Sequence, residues 1–420
     1  MRTSRYPHTK QRRRHTRRAF GLASLLVLAL VYVGGTTLFV PLAVVAANSN
    51  ASTTTLAAEK VILDWPTTGQ AAIGAEGYGL LASHNTEQVL PTASVIKTVM
   101  ALCVLEKRPL ATGEAGPTLT MSQQDVASYN WYLANHGSVM PVRVGQQLTE
   151  RQALESAMLR SANNMADTLA IWAFGSISAY REYATSYISR IGLTQTTIGT
   201  DASGLNPSTV STASDLVRLG LVAMKNPALV EIVGLKSTII PEVGTITNTN
   251  NLLGQDGIVG IKTGTDIKNK GVYLFASRYQ PQDGSSVLIV GAVMGAPTSG
   301  RSRTEALKLL ASARKGFEPR TIYKAGQTVG TYEATWSEQV VPAVINKDIA
   351  VSGWRGAPIK TSIALKSVHS PATAGKHVGD VSIVRANKSQ IVGSVTLAKD
   401  VDAPSLWWRI SHPLQAIRPQ

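Results

Sequence analysis

Pro91-Thr92-Ala93-Ser94-Val95-Ile96-Lys97-Thr98-Val99-Met100-Ala101-Leu102 runs a small-residue turn into an apolar-periodic helix. Ser94 falls near the first turn and Lys97 three residues later, a spacing that puts both on one helical face. The lysine amine can therefore sit over the serine hydroxyl. A serine hydroxyl is a weak nucleophile until an adjacent base takes its proton. A lysine serves as that base where burial or a neighbouring cation lowers its pKa. Val95, Ile96, Val99, Met100, Cys103 and Val104 are predicted to pack the rest of the helix into a core. Cys103 is the only cysteine, so no intramolecular disulfide forms, and its apolar neighbours make it a small buried hydrophobe. Ser-x-x-Lys alone is a weak signal, because such spacing occurs by chance in many proteins.

Two further stretches follow in order, Ser161-Ala162-Asn163 and Lys262-Thr263-Gly264. Ser161 falls at a helix-to-helix junction, where it could relay a proton between Lys97 and a leaving amine. Asn163 offers both a donor and acceptors, so it can orient Lys97 and hold a substrate amide. The pair fits an ordinary N-cap before the helix at Met165 equally well. Lys262-Thr263-Gly264 ends an apolar strand, with Lys262 and Gly264 pointing one way and Thr263 the other. A lysine there binds a carboxylate as a point charge and, as a second cation, depresses the pKa of Lys97. Gly264 lets a substrate backbone pair as an added strand. The backbone N–H of Thr265, with that of Ser94, forms an oxyanion hole. The alternative is an edge lysine and a turn glycine, common in any sheet.

The chain has 420 residues and a net charge of +15, and eight positive charges precede residue 19 with no acid among them. The remaining +7 is unremarkable, which argues against a nucleic-acid partner. From Ala19 to Ala58 there is no charged residue, and Phe20 to Val40 alone is long enough to span a bilayer. Residues 1–18 are predicted as a basic cytoplasmic tail and 19–47 as a retained single-pass anchor, with an exported remainder. Cleavage as a signal at Val45-Ala46-Ala47, giving a secreted protein, is the competing reading. Residues 48–60 begin with Asn, Ser, Thr and Ala and read as a short flexible linker.

Residues 61–318 mix strand and helix patterns. Short antiparallel strands lead into the Ser94 helix, and helices are expected over Leu148–Phe174, Ser178–Ile191, Ser214–Met224 and Thr304–Gly316. Ile258–Ile261, Gly271–Arg278 and Ser286–Met294 read as strands. Strands at both ends with helices between them indicate an α+β domain, helices packed on an antiparallel sheet. From residue 319 to 410 the pattern changes to short β-branched stretches with regular turns, a small β-sandwich-like domain without catalytic candidates. Trp407 and Trp408 read as two core tryptophans. No histidine lies in a ligand-like cluster, so no metal or other cofactor is expected. No serine sits in a Gly-x-Ser-x-Gly elbow.

Together the three motifs are the set shared by penicillin-binding proteins and class A β-lactamases. The region from Val61 to Glu318 resembles the serine D-alanyl-D-alanine carboxypeptidases, the low-molecular-mass penicillin-binding proteins of peptidase S11 type. The matching text includes Leu159 to Ala170, Asp201-Ala202-Ser203-Gly204-Leu205 followed by Ser211 to Leu216, and Asn248 to Leu253. The tail, with Val378-Gly379-Asp380 and Val395-Thr396-Leu397, is similar to the family's C-terminal β-domain. The resemblance implies a penicillin-binding-protein/β-lactamase-like transpeptidase fold. It also implies removal of the terminal D-alanine from peptidoglycan pentapeptide stems through a Ser94 acyl-enzyme, with slow acylation by β-lactams as covalent inhibitors. Ser94, Lys97, Ser161 and Asn163 are the implied catalytic residues; Lys262, Thr263, Gly264, Thr265 and Arg301 are the implied substrate contacts. The expected location is the bacterial cell membrane, with the catalytic domain outside and the N-terminal helix as the membrane contact.

The chain departs from the pattern in places. Ile96 stands where the family usually has a hydroxyl residue, and Lys270-Gly271 where it has an Ala-Gly pair. The stretch after Thr265 is charged and longer than expected. Arg301 and Arg303 compete for the carboxylate-binding arginine, and no C-terminal amphipathic helix is evident. Three rivals share the site: a β-lactamase, for which no glutamate loop is found between the second and third motifs; a DD-endopeptidase acting on cross-links; and a catalytically silent wall-binding protein.

Overall fold

A computed structural model of the chain describes residues 9–36, 44–48, 53–385 and 388–412. It divides into two compact units, residues 58–319 with 352–357, and residues 1–57 with 320–351 and 358–420.

The first unit is built on a five-stranded antiparallel sheet ordered Ile258–Thr265, Gly271–Tyr279, Val287–Ala296, Gln70–Ala75, Gly79–His84. Val287–Ala296 and Gln70–Ala75 are buried along nearly their whole length on both faces. That pattern requires cover on both sides, and two helices supply it. Ala213–Ala223 lies against these central strands, and Ser299–Lys315 packs on Val287–Ala296 and Gly271–Tyr279. Both helices start on a threonine, Thr212 accepting from the Asp215 N–H and Thr298 from the Arg301 N–H. Each cap satisfies an otherwise orphaned donor, worth roughly 1 kcal/mol. The Lys97–Lys107 helix is buried from Lys97 through Leu105. A helix apolar on every side must be central, and this one packs among Glu150–Met158, Asn163–Phe174, Ile177–Arg190 and Ala213–Ala223. Gln123–Ala134 and Pro227–Gly234, capped by Ser122 and Asn226, are helices that the periodicity did not disclose. Residues 352–357 return to this unit rather than continuing the β-domain expected from residue 319 onward. Trp354 explains the return, its ring 5.2 Å from that of Phe317 inside the core.

The second unit contains a seven-stranded antiparallel sheet ordered Ala47–Asn48, Thr328–Glu333, Val340–Ile345, Lys388–Leu397, His377–Arg385, Ile359–Leu365, Thr54–Leu56. Its two edge strands come from the segment expected to be anchor and linker. Thr54–Leu56 pairs with Ile359–Thr361, and Ala47–Asn48 with Thr331–Tyr332. Val44–Val45 pairs with Val368–His369. The linker reading of residues 48–60 is therefore corrected at Asn48 and Thr54–Leu56, while 57–60 carry no helix or strand. Edge backbone satisfies its hydrogen bonds in the sheet, and Leu56 packs against the unit's core. The expected anchor is shorter than 19–47 for the same reason. Its helix spans Thr9–Gly34, with an exposed apolar window over Arg17–Gly34, about 27 Å at 1.5 Å per residue. Val45 is fully buried in the β-unit core, so the span does not extend to residue 47. Residues 1–8, 37–43 and 49–52, which fall in the expected tail, anchor and linker, lie outside the described residues. The core reading of the two tryptophans is also corrected. Leu406–Ser411 is a short helix on which Leu406 and Trp407 are exposed, while Trp408 is half-buried against Trp336 and His412.

Candidate active site

Ser94 lies in a 3₁₀ turn, Ala93–Ile96, and the α-helix begins at Lys97. The local geometry differs from the expected continuous α-helix and suits the pair better. With three residues per turn, positions i and i+3 eclipse, which brings Lys97 Nζ to 2.8 Å from Ser94 Oγ. Ala93 takes a left-handed φ of +47°, a conformation L-residues adopt at a cost of about 1 kcal/mol, and it turns the following amides and Ser94 into the site.

Lys97 Nζ has two further neighbours, Asn163 Oδ1 at 2.7 Å and the Ser203 carbonyl oxygen at 2.8 Å. Both are acceptors only at these atoms. In the neutral amine they take its two N–H bonds, and the lone pair is left facing the Ser94 hydroxyl. The neutral form is favoured because Lys97 is completely buried, and its pKa is driven well below the ordinary lysine value. Burial is the main cause and the Lys262 charge the second, with Asp201 and Asp167 opposing. Lys262 is also buried, and burial pushes its pKa down to about 7. Its ammonium donates to the Thr263 carbonyl at 3.1 Å and forms no ion pair among the described residues.

Neither residue of the second motif caps a helix. Ala162 is the N-cap of Asn163–Phe174 and makes no side-chain cap bond. Asn163 is the first helical residue, and Ser161 precedes the cap with a φ of +64°. Ser161 is buried, and its hydroxyl has no hydrogen-bond partner among the described residues. Gly137 makes room for Asn163, since a Cβ there would stand 2.6 Å from its amide nitrogen.

The third motif follows the expected alternation. A Cβ on Gly264 would lie 3.1 Å from Ala93 Cβ and 3.2 Å from Ser94 N, so this face of the strand abuts the Ser94 turn. Thr263 faces the other way, paired across the sheet with Tyr273, its hydroxyl 2.7 Å from that of Thr249. Thr265 is exposed at the strand end. Arg301 makes no hydrogen bond or ion pair with this cluster among the described residues; its guanidinium pairs with Glu305 at 2.7 Å and is half-exposed. Arg303 bonds Ser299 Oγ, and its charge acts on the hydroxyl of Tyr273, the cross-strand neighbour of Thr263.

Several contributors escaped the sequence reading. Ser203 acts through its carbonyl, which no side-chain pattern reveals. The loop that presents it is held by Asp201, whose Oδ1 accepts from the Ser203 hydroxyl and from the Ser203 and Gly204 amides, and whose Oδ2 accepts from Asn206 N. A Cβ on Gly204 would stand 2.2 Å from the Ala93 carbonyl oxygen, so only glycine allows the loop this close. Asp167 accepts from Tyr132 Oη at 2.6 Å and from Ala202 N, and burial raises its pKa to about 6. The run of Asp and Gly between Asp201 and Gly204 was the available signal.

The family profile for D-alanyl-D-alanine carboxypeptidase matches residues 52–298. The D-alanyl-D-alanine carboxypeptidase DacA of Escherichia coli is 26% identical over 321 residues, 72% of this chain and 75% of the relative. DacC of the same organism is 26% identical over 264 residues, 62% of this chain and 64% of the relative. Among solved structures, penicillin binding protein 5 from Haemophilus influenzae superposes with a TM-score of 0.54 at 18% identity, covering 83% of this chain and 99% of that one. The sheet with helices on both faces is thus the penicillin-binding-protein fold, and the chain belongs to the D-alanyl-D-alanine carboxypeptidase family, the serine hydrolases of peptidase S11 type.

Proposed function

We propose that Ser94 is the nucleophile that removes the terminal D-alanine of peptidoglycan pentapeptide stems, with Lys97 as its general base. The observation that carries this reading is the Lys97 environment, two carbonyl acceptors at 2.7 and 2.8 Å and Ser94 Oγ at 2.8 Å. The Ser94 proton passes to Lys97 Nζ as Oγ bonds the carbonyl carbon of the penultimate D-alanine. The amides of Ser94 and Thr265 hold the oxyanion. The tetrahedral adduct collapses, the C–N bond breaks, and the leaving amine takes the Lys97 proton with Ser161 between them. Water then attacks the ester, Lys97 accepts its proton, and Ser94 regains its hydrogen. Lys262 holds the terminal carboxylate by charge, Gly264 admits the substrate backbone, and Thr263 lines the strand beside it. We assign the supporting arginine to Arg303 rather than Arg301, because Arg301 is committed to Glu305. β-Lactams acylate the same serine. Ser94→Ala should abolish both D-alanine release from a pentapeptide stem and covalent labelling by a β-lactam. Labelling that persists in Ser94→Ala would refute the nucleophile assignment.

The protein is read as a single-pass membrane protein with its catalytic unit outside the cell. Cleavage at Val45-Ala46-Ala47 would remove Val45 from the core of the β-unit and part of the Ala47–Asn48 strand, which favours a retained helix. Intact-mass measurement of the protein extracted from membranes tests this; a mature chain beginning after Ala47 would refute it.

A further inference from the structure

The charged stretch after Thr265 has no part in the chemistry above, yet it lines a cavity of about 350 Å³ beside the nucleophile turn. Leu90, Pro91 and Pro207 form its apolar wall, and Asp266, Ile267, Lys268 and Lys270 line the other side. We propose that this cavity is a subsite for the residue preceding D-Ala-D-Ala, and that it selects a side chain ending in a carboxylate. The inference rests on the assignment of Lys262 and Ser94 above, which sets the direction of the bound peptide. The terminal carboxylate lies at Lys262 and the scissile carbonyl at Ser94 and the Thr265 amide, so the peptide runs from its C-terminus toward its N-terminus along Lys262 to Thr265. Strand residues advance about 3.4 Å each. The next residue on the donor side therefore leaves Thr265 and passes the Asp266–Lys270 turn.

The turn is built before any ligand arrives. Asp266 Oδ1 accepts from the amides of Lys268 and Lys270, each at 2.8 Å, the Asp266 N–H donates to the Lys270 carbonyl, and Asn269 N–H donates to the Asp266 carbonyl. The one carboxylate in the cavity wall is thereby committed to holding the turn. Lys268 and Lys270 form no ion pair among the described residues, and with Asp266 counted the wall keeps one positive charge in excess over an apolar surface. An aliphatic side chain with a terminal carboxylate complements both features: its methylenes lie on Leu90, Pro91 and Pro207, and its charge meets the lysines.

Two acetylated peptides test this, L-2-aminoadipyl-D-Ala-D-Ala and the same peptide with the side-chain carboxylate converted to the primary amide. D-Alanine release gives kcat/KM for each. The wild type should prefer the acid by about five- to tenfold, within the range of one exposed charge-assisted contact. The acid-to-amide ratio should fall to near one in the Lys268→Gln/Lys270→Gln double variant, whose altered side chains are exposed. Equal rates on the two peptides, or a preference that survives in the double variant, would overturn the subsite while leaving the catalytic assignment standing. Release from neither peptide would overturn the catalytic assignment, and the subsite with it.

Discussion

Lys262 sets a limit on activity at alkaline pH that its replacement by arginine should remove. Burial holds its pKa at about 7, so in the free enzyme its charge is lost as pH rises through that value. In the proposed mechanism the substrate carboxylate needs the charged form. The dependence of kcat/KM on pH reports the free enzyme, so kcat/KM should fall about tenfold per pH unit once pH is well above 7. By pH 9 roughly one enzyme in a hundred retains the charge, a loss of about a hundredfold, or ~2.7 kcal/mol of transition-state binding. Bound carboxylate favours the ammonium, so the corresponding fall in kcat should lie at higher pH than that in kcat/KM. Arginine keeps its charge across this range. In Lys262→Arg the absolute rate should drop because the planar guanidinium does not fit a site shaped for an ammonium, but the alkaline fall should vanish. The assay is D-alanine release from a pentapeptide stem between pH 5 and 9, with a C-terminally amidated stem as a control that lacks the carboxylate. An alkaline fall of the same size in Lys262→Arg, or in the wild type acting on the amidated stem, would refute the role given to Lys262.

Other consequences concern packing and burial. Gly204→Ala should cost at least a hundredfold in kcat with little loss of fold, because a Cβ 2.2 Å from the Ala93 carbonyl oxygen displaces the Ser94 turn; near-normal turnover would show that the loop can retreat freely. Glu150 is fully buried, neither carboxyl oxygen has a hydrogen-bond partner among the described residues, and burial, aided by Glu114, raises its pKa to about 7 against the pull of Arg108. The folded state therefore holds a proton that the unfolded chain releases from about pH 4.5 upward. Stability falls as pH rises from there to 7, by up to about 3 kcal/mol. Glu150→Gln should raise the melting temperature at pH 8 and flatten its pH dependence across that window, and an unchanged slope would rule out Glu150 as the source. Val45→Asp should lower the melting temperature of the β-unit by placing an unpaired charge in its core, a penalty of several kcal/mol; an unaltered melting curve would show that the N-terminal strands contribute nothing to that unit.

The parts of the site that announce themselves in the chain are side chains at short range. Ser94 and Lys97 are three apart, and local helix geometry alone brings them together, whether the turn is α or 3₁₀. Gly271–Tyr279 and Val287–Ala296 were legible because burial on both faces yields continuous apolar runs, whereas Gln70–Ala75 was foreseen only as one of several short strands. Contributions made through the backbone or across long separations were not legible. The Ser203 carbonyl carries no side-chain signature, and Gly137 matters only because Asn163 arrives beside it. The strands at Ala47–Asn48 and Thr54–Leu56 look like linker because an edge strand of two or three residues needs backbone partners more than an apolar pattern, and those partners lie roughly three hundred residues away. Arg301 and Arg303 could not be separated by counting, since a shift of two helical positions decides whether an arginine meets Glu305 or the side of the sheet bearing Tyr273.

The two lysines explain why so much buried structure surrounds so small a site. A cation without a carboxylate partner favours unfolding whenever the unfolded chain can protonate it and the folded one resists. For Lys262, with a pKa near 7 against about 10.5 unfolded, that cost is complete below pH 7, amounts to about 5 kcal/mol, and disappears as pH rises through 10.5. Left-handed Ala93 and Ser161 add about 1 kcal/mol each. A domain stable by only 5–15 kcal/mol can hold such a site only if its supports are strongly buried, and the Lys97–Lys107 helix is enclosed from Lys97 through Leu105. The same enclosure lowers the pKa of Lys97 and leaves Lys262 without an anionic partner among the described residues. Substitution of Lys262 by methionine should therefore raise the melting temperature at pH 6 while abolishing recognition of the stem terminus. A less stable Lys262→Met protein would mean that the Lys262 ammonium is held by compensation beyond its bond to the Thr263 carbonyl.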